Sequence, residues 1–223
     1  MFIFADSTGV SEMMKAKREI SAYTAAITGG GFLFSETDAL LPLLQSEDRD
    51  SLLDDEAEQN RVLMINAVKS RRNAIGEIRR RYFTMDSAFW TDYQQMSEDD
   101  RRVALLMVIL KTYRILFDFH VYVTLRKWRS IAKSLTLEDI MIEMNEISAK
   151  DEHVDSWTEK TKQKVGGAYL TILRRAGMLD DDGSLQPLRC SDFSFYLRIH
   201  ESWFLEACLL EPYEIDEIRR SAL

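Results

Sequence analysis

The sequence is poor in cysteine, proline and glycine, with two, three and nine of these residues among 223. The two isolated cysteines, Cys190 and Cys208, argue against a disulfide framework or a zinc site and are typical of a reducing compartment. So few prolines and glycines leave little room for linkers or disorder. The opening segment MFIFADSTG lacks the basic region and the full apolar core of a secretory signal peptide. We therefore expect a globular cytoplasmic protein.

Long hydrophobic runs are also missing. The apolar run at residues 103–110 stops at Lys111, whereas a membrane-spanning helix needs about 20 apolar residues. We interpret this run as a buried core helix and expect no contact with a membrane.

Motifs for catalysis, nucleotide binding or metal binding are absent as well. The triple glycine at residues 29–31 follows no clear strand and lacks the Gly-Lys-Ser/Thr of a phosphate loop, so we interpret it as a turn between helices. The acidic run at residues 54–58 is typical of a solvated helix face, and residues 180–182 lack the spacing of a calcium loop. No serine or cysteine stands beside a histidine in a familiar pattern. We predict a non-enzymatic protein without a cofactor or a metal.

The net charge of −8 hides a strong segregation of charge along the chain. Residues 36–60 hold nine acids and one base, and residues 61–81 hold seven bases and one acid. Residues 134–159 are again acidic, and residues 160–175 hold five bases and no acid. A local basic patch matters more to nucleic acid than the total charge does.

Helical periodicity dominates the sequence, and we predict an all-α bundle with at most one short β-hairpin near residues 178–188. The central helix is predicted over residues 97–119, with Ser97 as N-cap and Asp100 completing a capping box. Because residues 103–110 are apolar on every side, other helices should surround it. Further helices are predicted over residues 11–23, 32–45, 50–67, 70–82, 87–95, 117–131, 136–149, 157–176 and 191–210.

Several local signals sharpen these predictions. Ser70 and Ser191 are predicted helix caps, Thr136 starts a second capping box with Asp139, and Gly177 is placed to end a helix. We divide the chain into residues 1–133 and a C-terminal domain, 134–223, in which helix, glycine and hairpin give a winged-helix outline. The predicted core includes Leu106, Leu110, Phe117 and His200.

Two basic helices are the candidate nucleic-acid contacts. In helix 70–82, Arg72, Arg79 and Arg80 share one arc with Gly76; the arc either contacts phosphates or pairs with the acidic helix before it. A further basic cluster surrounds Trp128, which either stacks on bases or lies buried beneath snorkelling side chains. The predicted nucleic-acid-binding residues are Lys69, Arg71, Arg72, Arg79, Arg80, Arg81, Lys160, Lys162, Lys164, Arg174 and Arg175.

The order of several segments resembles a known family. The resemblance rests on YTAAITGGG at 23–31 with Ser35-Glu36-Thr37, on the arginine-rich helix at 70–81, on WTEKT at 157–161 with Lys164, and on LRRAGML at 173–179 with Leu185-Gln186-Pro187. Taken together over roughly residues 20–210, these segments resemble the BrxA family of the BREX bacteriophage-exclusion systems.

The resemblance implies a helical fold similar to the antitermination protein NusB, binding of double-stranded DNA and a role in phage defence. Methylation of host DNA belongs to other members of the system. Two classes of function stay open: a DNA-binding subunit, of which a NusB-like RNA binder is a variant, and an adaptor whose charged blocks dock other BREX proteins.

Overall fold

The computed structural model describes residues 21–222 and is helical, with no β-strand in that range. None of its helices combines the length and the hydropathy of a membrane span within these residues. A short 3₁₀ turn, Ala26–Gly29, precedes the first α-helix. The α-helices are α1 (Phe34–Leu44), α2 (Arg49–Gln59), α3 (Val68–Tyr82), α4 (Ser87–Gln95), α5 (Glu98–Thr112), α6 (Arg114–Phe119), α7 (Leu125–Trp128), α8 (Leu137–Ser148), α9 (Glu152–Asp155), α10 (Glu159–Ala176), α11 (Ser194–Arg198), α12 (Trp203–Ala207) and α13 (Pro212–Ser221).

Helix α5 forms the centre of the core, as predicted. Its residues 103–110 are all buried, with Leu106 fully inaccessible and Leu110 nearly so. Ser97 caps the helix by accepting a hydrogen bond from the amide of Asp100 at 3.2 Å. The predicted capping box is wrong, because the Asp100 carboxylate turns instead to Ser191, accepting from its amide at 2.8 Å and from its hydroxyl at 2.6 Å.

The predicted continuous helix over residues 97–119 is broken at Tyr113. That residue has extended backbone angles, φ −115° and ψ 100°, and its side chain is completely buried. The break aims the Tyr113 hydroxyl at Glu77 and Arg81 of α3. Helix α6 then resumes at Arg114, and Phe117 is only half-buried rather than part of the fully buried core.

A π-helical turn, His120–Thr124, links α6 to α7 and carries a buried histidine. His120 Nε2 lies 2.9 Å from the carbonyl oxygen of Ala207, which can only accept, so Nε2 carries the proton. Nδ1 then accepts from the Tyr169 hydroxyl at 2.9 Å, and that hydroxyl accepts from Thr124 at 2.6 Å. Burial lowers the pKa of His120 to about 4, so the ring is neutral at pH 7.

The predicted hairpin is present in a minimal form. Leu179 and Leu185 form an isolated antiparallel bridge, and Ser184 forms another with Ser134. Gly177 (φ 83°) ends α10 in a Schellman motif, in which the amide of Met178 bonds to the carbonyl of Leu173 at 2.9 Å. Thr136 and Asp139 form the predicted capping box at the start of α8.

Two predicted helices are shorter than their sequence patterns indicate. The helix predicted to reach residue 67 ends at Gln59, because the buried Glu56 carboxylate accepts from the amides of residues 61–63 at 2.8 to 3.0 Å. The helix predicted over residues 191–210 is interrupted at His200, whose left-handed backbone (φ 61°) closes α11 in a second Schellman motif. His200 is therefore exposed, and its predicted place in the core is wrong.

Helix starts also differ from prediction at two serines. Helix α3 begins at Val68 with Ala67 as its N-cap, so Ser70 lies inside the helix rather than before it. Ser191 binds Asp100 instead of capping a helix, and α11 starts three residues later. Of the helix predicted over residues 11–23, the first ten positions lie outside the described residues, and residues 21–23 are not helical.

One hydrophobic cluster extends from Ile27 to Ile215. The His120–Ala207 and Asp100–Ser191 bonds join the segments before and after residue 133. The division into residues 1–133 and 134–223 stays a prediction.

Candidate nucleic-acid interface

Helix α3 lies against the acidic helix α2, and the two are joined by ion pairs. Arg72 pairs with Glu58, and Arg79 Nη2 lies 2.9 Å from Asp50 Oδ1. Since residue numbers rise along α3 as they fall along α2, the two helices are antiparallel. Arg80 lies 3.8 Å from Glu77 in its own helix. The guanidinium groups of the predicted arc are therefore balanced by carboxylates of the same chain, although they stay exposed.

Arg71 and Arg81 lie on the opposite side of α3 and are buried, at 3% and 0% exposure. Arg71 donates to the carbonyl oxygens of Ala57 at 2.8 Å and Ile65 at 2.6 Å, which closes the C-terminal end of α2. The N–H groups of Arg71 are therefore used within the fold, and its buried guanidinium is not accessible to a phosphate.

Arg81 holds the glycine-rich turn onto α3. Its guanidinium donates to the carbonyl oxygens of Gly31 at 2.5 Å and Phe32 at 2.8 Å, and Nε lies 3.3 Å from the Tyr113 hydroxyl. Burial raises the pKa of Tyr113 to about 12, so this hydroxyl keeps its proton and donates it to buried Glu77. The triple glycine is part of this contact, because a Cβ on Gly30 would approach the Cβ of Glu77 in α3 to 3.3 Å.

Helix α10 presents its bases differently. Lys160, Lys164, Arg174 and Arg175 are exposed, and none of them forms an ion pair within residues 21–222. At about 100° per residue they fall within about 100° of arc, and at 1.5 Å per residue they extend over about 22 Å. We call these four residues the basic stripe. Thr171 lies within it, and no acid does.

Lys162 does not belong to the basic stripe. It is 6% exposed, and its Nζ lies 4.0 Å from Asp155 Oδ1 and 3.9 Å from Glu159 Oε1. Lys69 is exposed at the start of α3 and forms no ion pair in the described part of the chain. Both basic helices contact the Ala26–Gly29 turn.

A third arginine, which the sequence analysis did not predict as a nucleic-acid contact, lies beside the end of the basic stripe. An open groove of about 710 Å³ lies between the start of α5, the end of α10 and residues 186–191. Arg174 and Arg175 line it together with exposed Arg189, which forms no ion pair within residues 21–222. In sequence Arg189 is a lone base after the hairpin, so no local pattern distinguishes it.

Three of the four bases around Trp128 form ion pairs, and the fourth, Arg126, forms none within residues 21–222. Lys127 pairs with Asp139 at 2.5 Å, and Lys133 pairs with Glu211 at 3.6 Å. The Lys133 ammonium also lies 3.6 Å from the centre of the Trp128 ring. One face of this half-buried ring is thus covered by the chain's own lysine, an arrangement that favours packing over base stacking.

No group of three or more metal-ligating side chains occurs among residues 21–222. Of the two cysteines, Cys208 is buried and Cys190 half-buried, and burial raises the pKa of Cys190 to about 12. The Cys190 thiol is therefore protonated at pH 7 and a weak nucleophile.

Comparison with known proteins identifies the family. A solved structure of an uncharacterized protein from Magnetospirillum magneticum superposes with a TM-score of 0.71 over 85% of this chain and 98% of that chain, at 22% identity, a likeness that concerns the fold alone. No curated protein sequence matches. The BrxA family model matches residues 21–196. The chain therefore belongs to the BrxA family and is a BREX-associated protein.

Proposed function

We propose that this protein is a non-enzymatic, double-stranded-DNA-binding subunit of a BREX phage-defence system, acting in the cytoplasm. The observation that carries the proposal is the basic stripe of α10, with four exposed bases and no acid along about 22 Å of helix. Unpaired lysines and arginines gain most from phosphates, because no intramolecular ion pair must first be broken. The ion-paired arc of α3 is the weaker candidate for the same contact.

A glycine near the middle of the basic stripe supports this assignment. Gly166 packs closely against α8, since a Cβ there would approach Leu137 Cδ1 to 2.9 Å and Ile140 Cγ2 to 3.3 Å. A Cβ on the adjacent Gly167 would meet nothing within 4 Å, so packing does not explain a residue that destabilises a helix by about 1 kcal/mol relative to alanine. A flat position between charged ends lets the helix approach a DNA backbone closely.

The chemistry of the basic stripe favours duplex DNA and weak sequence preference. Single-strand binding relies on aromatic side chains that stack on bases, and the exposed arc between Lys160 and Arg175 holds none. Adenine edges are read by asparagine and glutamine, which are scarce beside these bases. Phosphate contact should therefore dominate.

The test is a salt titration of duplex binding. Replacing Lys160, Lys164, Arg174 and Arg175 together by alanine should flatten the plot of log affinity against log salt by about 3 to 4, at about 0.9 per lost phosphate contact. The measurement is fluorescence anisotropy of two unrelated labelled duplexes, between 50 and 300 mM salt, and both should weaken about equally.

The matched variant replaces Arg72, Arg79 and Arg80 by alanine. We expect a smaller change in slope because those guanidinium groups are already balanced. Circular dichroism must stay unchanged in both variants. If the α10 variant binds as tightly as wild type, the basic stripe is not the DNA contact, and if wild type binds no duplex, the proposed function fails.

The adaptor function is the second candidate, and the face around α3 favours it. Phe83, just after α3, is 55% exposed, and the guanidinium groups of Arg49 and Arg79 lie 5.7 and 5.9 Å from its ring centre. Met64, in the segment before α3, is 72% exposed. Exposed apolar side chains within a charged surface are typical of protein contacts. A Phe83→Asp variant that binds DNA normally but loses association with another purified BREX subunit would identify this role.

A further inference from the structure

The groove beside the basic stripe is built by a long-range contact. Asp100, at the start of α5, accepts two hydrogen bonds from Ser191, which lies two residues after Arg189. The amide of Leu188 is fixed as well, since it donates to the carbonyl of Cys208 at 2.9 Å. The backbone on both sides of Arg189 is therefore anchored to buried elements, while its side chain stays exposed.

Some charged side chains of the groove already have partners within the chain, and others do not. The Arg102 guanidinium is already engaged within the chain, because it pairs with Glu98 at 2.6 Å and lies 4.2 Å from the centre of the Phe34 ring. Asp180 accepts from Gln186 at 3.1 Å, and Asp100 is held by Ser191. Although burial raises the pKa of Asp100, the hydrogen bonds from Ser191 outweigh it and leave the pKa below the ordinary value of 3.8. The cations without an intramolecular pair in the described residues are Arg174, Arg175 and Arg189.

We propose that Arg189 is a further phosphate contact, positioned by an Asp100–Ser191 clamp, so that one strand of a duplex lies along the mouth of the groove beside Arg174 and Arg175. The inference rests on the proposed function and extends the DNA surface beyond α10. The groove offers no aromatic side chain for an extruded base, so its ligand is the sugar–phosphate backbone. Asp100 does not touch DNA and acts as a positioning residue.

Arg189→Ala should weaken duplex binding about fivefold to tenfold at 0.1 M salt and flatten the salt slope by about 0.9, the amount for one phosphate. Arg61 is the matched control, since it is also exposed and forms no ion pair within residues 21–222. Arg61→Ala should leave both quantities unchanged. Arg189→Lys should restore most of the slope, because a single charge suffices for a phosphate.

The clamp can be tested by the direction in which two substitutions change the affinity for duplex DNA. Removing a carboxylate from a DNA-binding groove should strengthen binding through simple electrostatics, and Asp99→Asn, an exposed neighbour in the same groove, should do so. Asp100→Ala removes the same charge and also both acceptors for Ser191, so it should weaken binding. In the Arg189→Ala background, Asp100→Ala should cause no further loss, which separates positioning from a general effect on folding.

The outcomes distinguish this inference from the proposed function. If the basic-stripe variant loses affinity while Arg189→Ala matches wild type, Arg189 is not a contact and the inference falls alone. If Asp100→Ala strengthens binding as Asp99→Asn does, the clamp does not position Arg189. If wild type binds no duplex, both proposals fall together.

Discussion

Replacing Arg81 by alanine is expected to destabilise the protein by about 3 to 5 kcal/mol, the range for removing one partner of a buried charged network. The change leaves the carbonyl oxygens of Gly31 and Phe32 without their donor and opens a cavity beside Tyr113. Buried Glu77 also loses the cation that reaches it through the Tyr113 hydroxyl. Urea unfolding followed by circular dichroism gives the free energy.

Arg72→Ala is the matched control for that measurement. It removes the same side chain from the same helix, but its guanidinium is exposed and pairs with Glu58 at the surface. Exposed pairs contribute about 0 to 1 kcal/mol. A loss below about 1 kcal/mol for Arg81→Ala would contradict the structural role assigned to the Arg81 network.

The stability of the protein should fall as the pH is lowered from about 6.5 to about 4. The pKa of His120 is about 4 in the folded state and near its ordinary value of 6.5 in the unfolded chain. Between these two pH values the unfolded chain binds a proton at His120 and the folded protein does not. The contribution of neutral His120 to the free energy of unfolding is therefore complete above pH 6.5 and is lost as the pH approaches 4. The expected loss in the free energy of unfolding is about 3 kcal/mol, since a shift of one pKa unit corresponds to about 1.4 kcal/mol.

His120→Gln isolates this contribution, because an amide can donate to Ala207 and accept from Tyr169 without titrating. The variant should be nearly insensitive to pH over the same interval, whatever its stability at pH 7. Carboxylates with a lowered pKa, such as Asp139 and Asp192, act mainly below this window. Equal pH dependence in wild type and variant, measured by urea unfolding at pH 7 and 4.5, would refute the assignment.

Features that depend on neighbouring residues could be predicted from the sequence. Each of these features is determined by residues a few positions apart in the chain. They are the Ser97 cap, the Thr136 capping box, each end of α4 and the end of α10 at Gly177. Burial of the run at residues 103–110 followed from its composition alone. These signals fix the helical class and most helix positions.

Features that depend on distant residues could not be predicted. Asp100 satisfies the spacing of a capping box, yet its carboxylate binds Ser191, a residue 91 positions away, because that bond also anchors the segment after the hairpin. The same applies to the break at Tyr113, which serves Glu77 and Arg81, and to His200, whose left-handed backbone ends a helix within an unbroken apolar pattern.

The candidate site shows the same limit. Arg71 and Arg72 are adjacent and identical, but helical phase places Arg71 on the side of Ile75 and Ile78 and Arg72 on the solvent side. That phase is a signal in the sequence, and it is sufficient to separate buried arginines from exposed ones. Pairing of the exposed arginines with α2, and the freedom of those on α10, depends on tertiary contacts and required the structure.

The bond between His120 and Ala207 also constrains the order in which the protein folds during synthesis. The acceptor for the His120 ring is made 87 residues after the histidine itself, and Ser191 follows Asp100 by 91. Until both have left the ribosome, the apolar surface of α5 lacks part of its cover and the imidazole lacks its acceptor. The apolar surface of a nascent chain is thus uncovered from the emergence of α5 until residue 207 has emerged, at about 5 to 20 residues per second. A stall in this interval should increase the binding of chaperones to the chain.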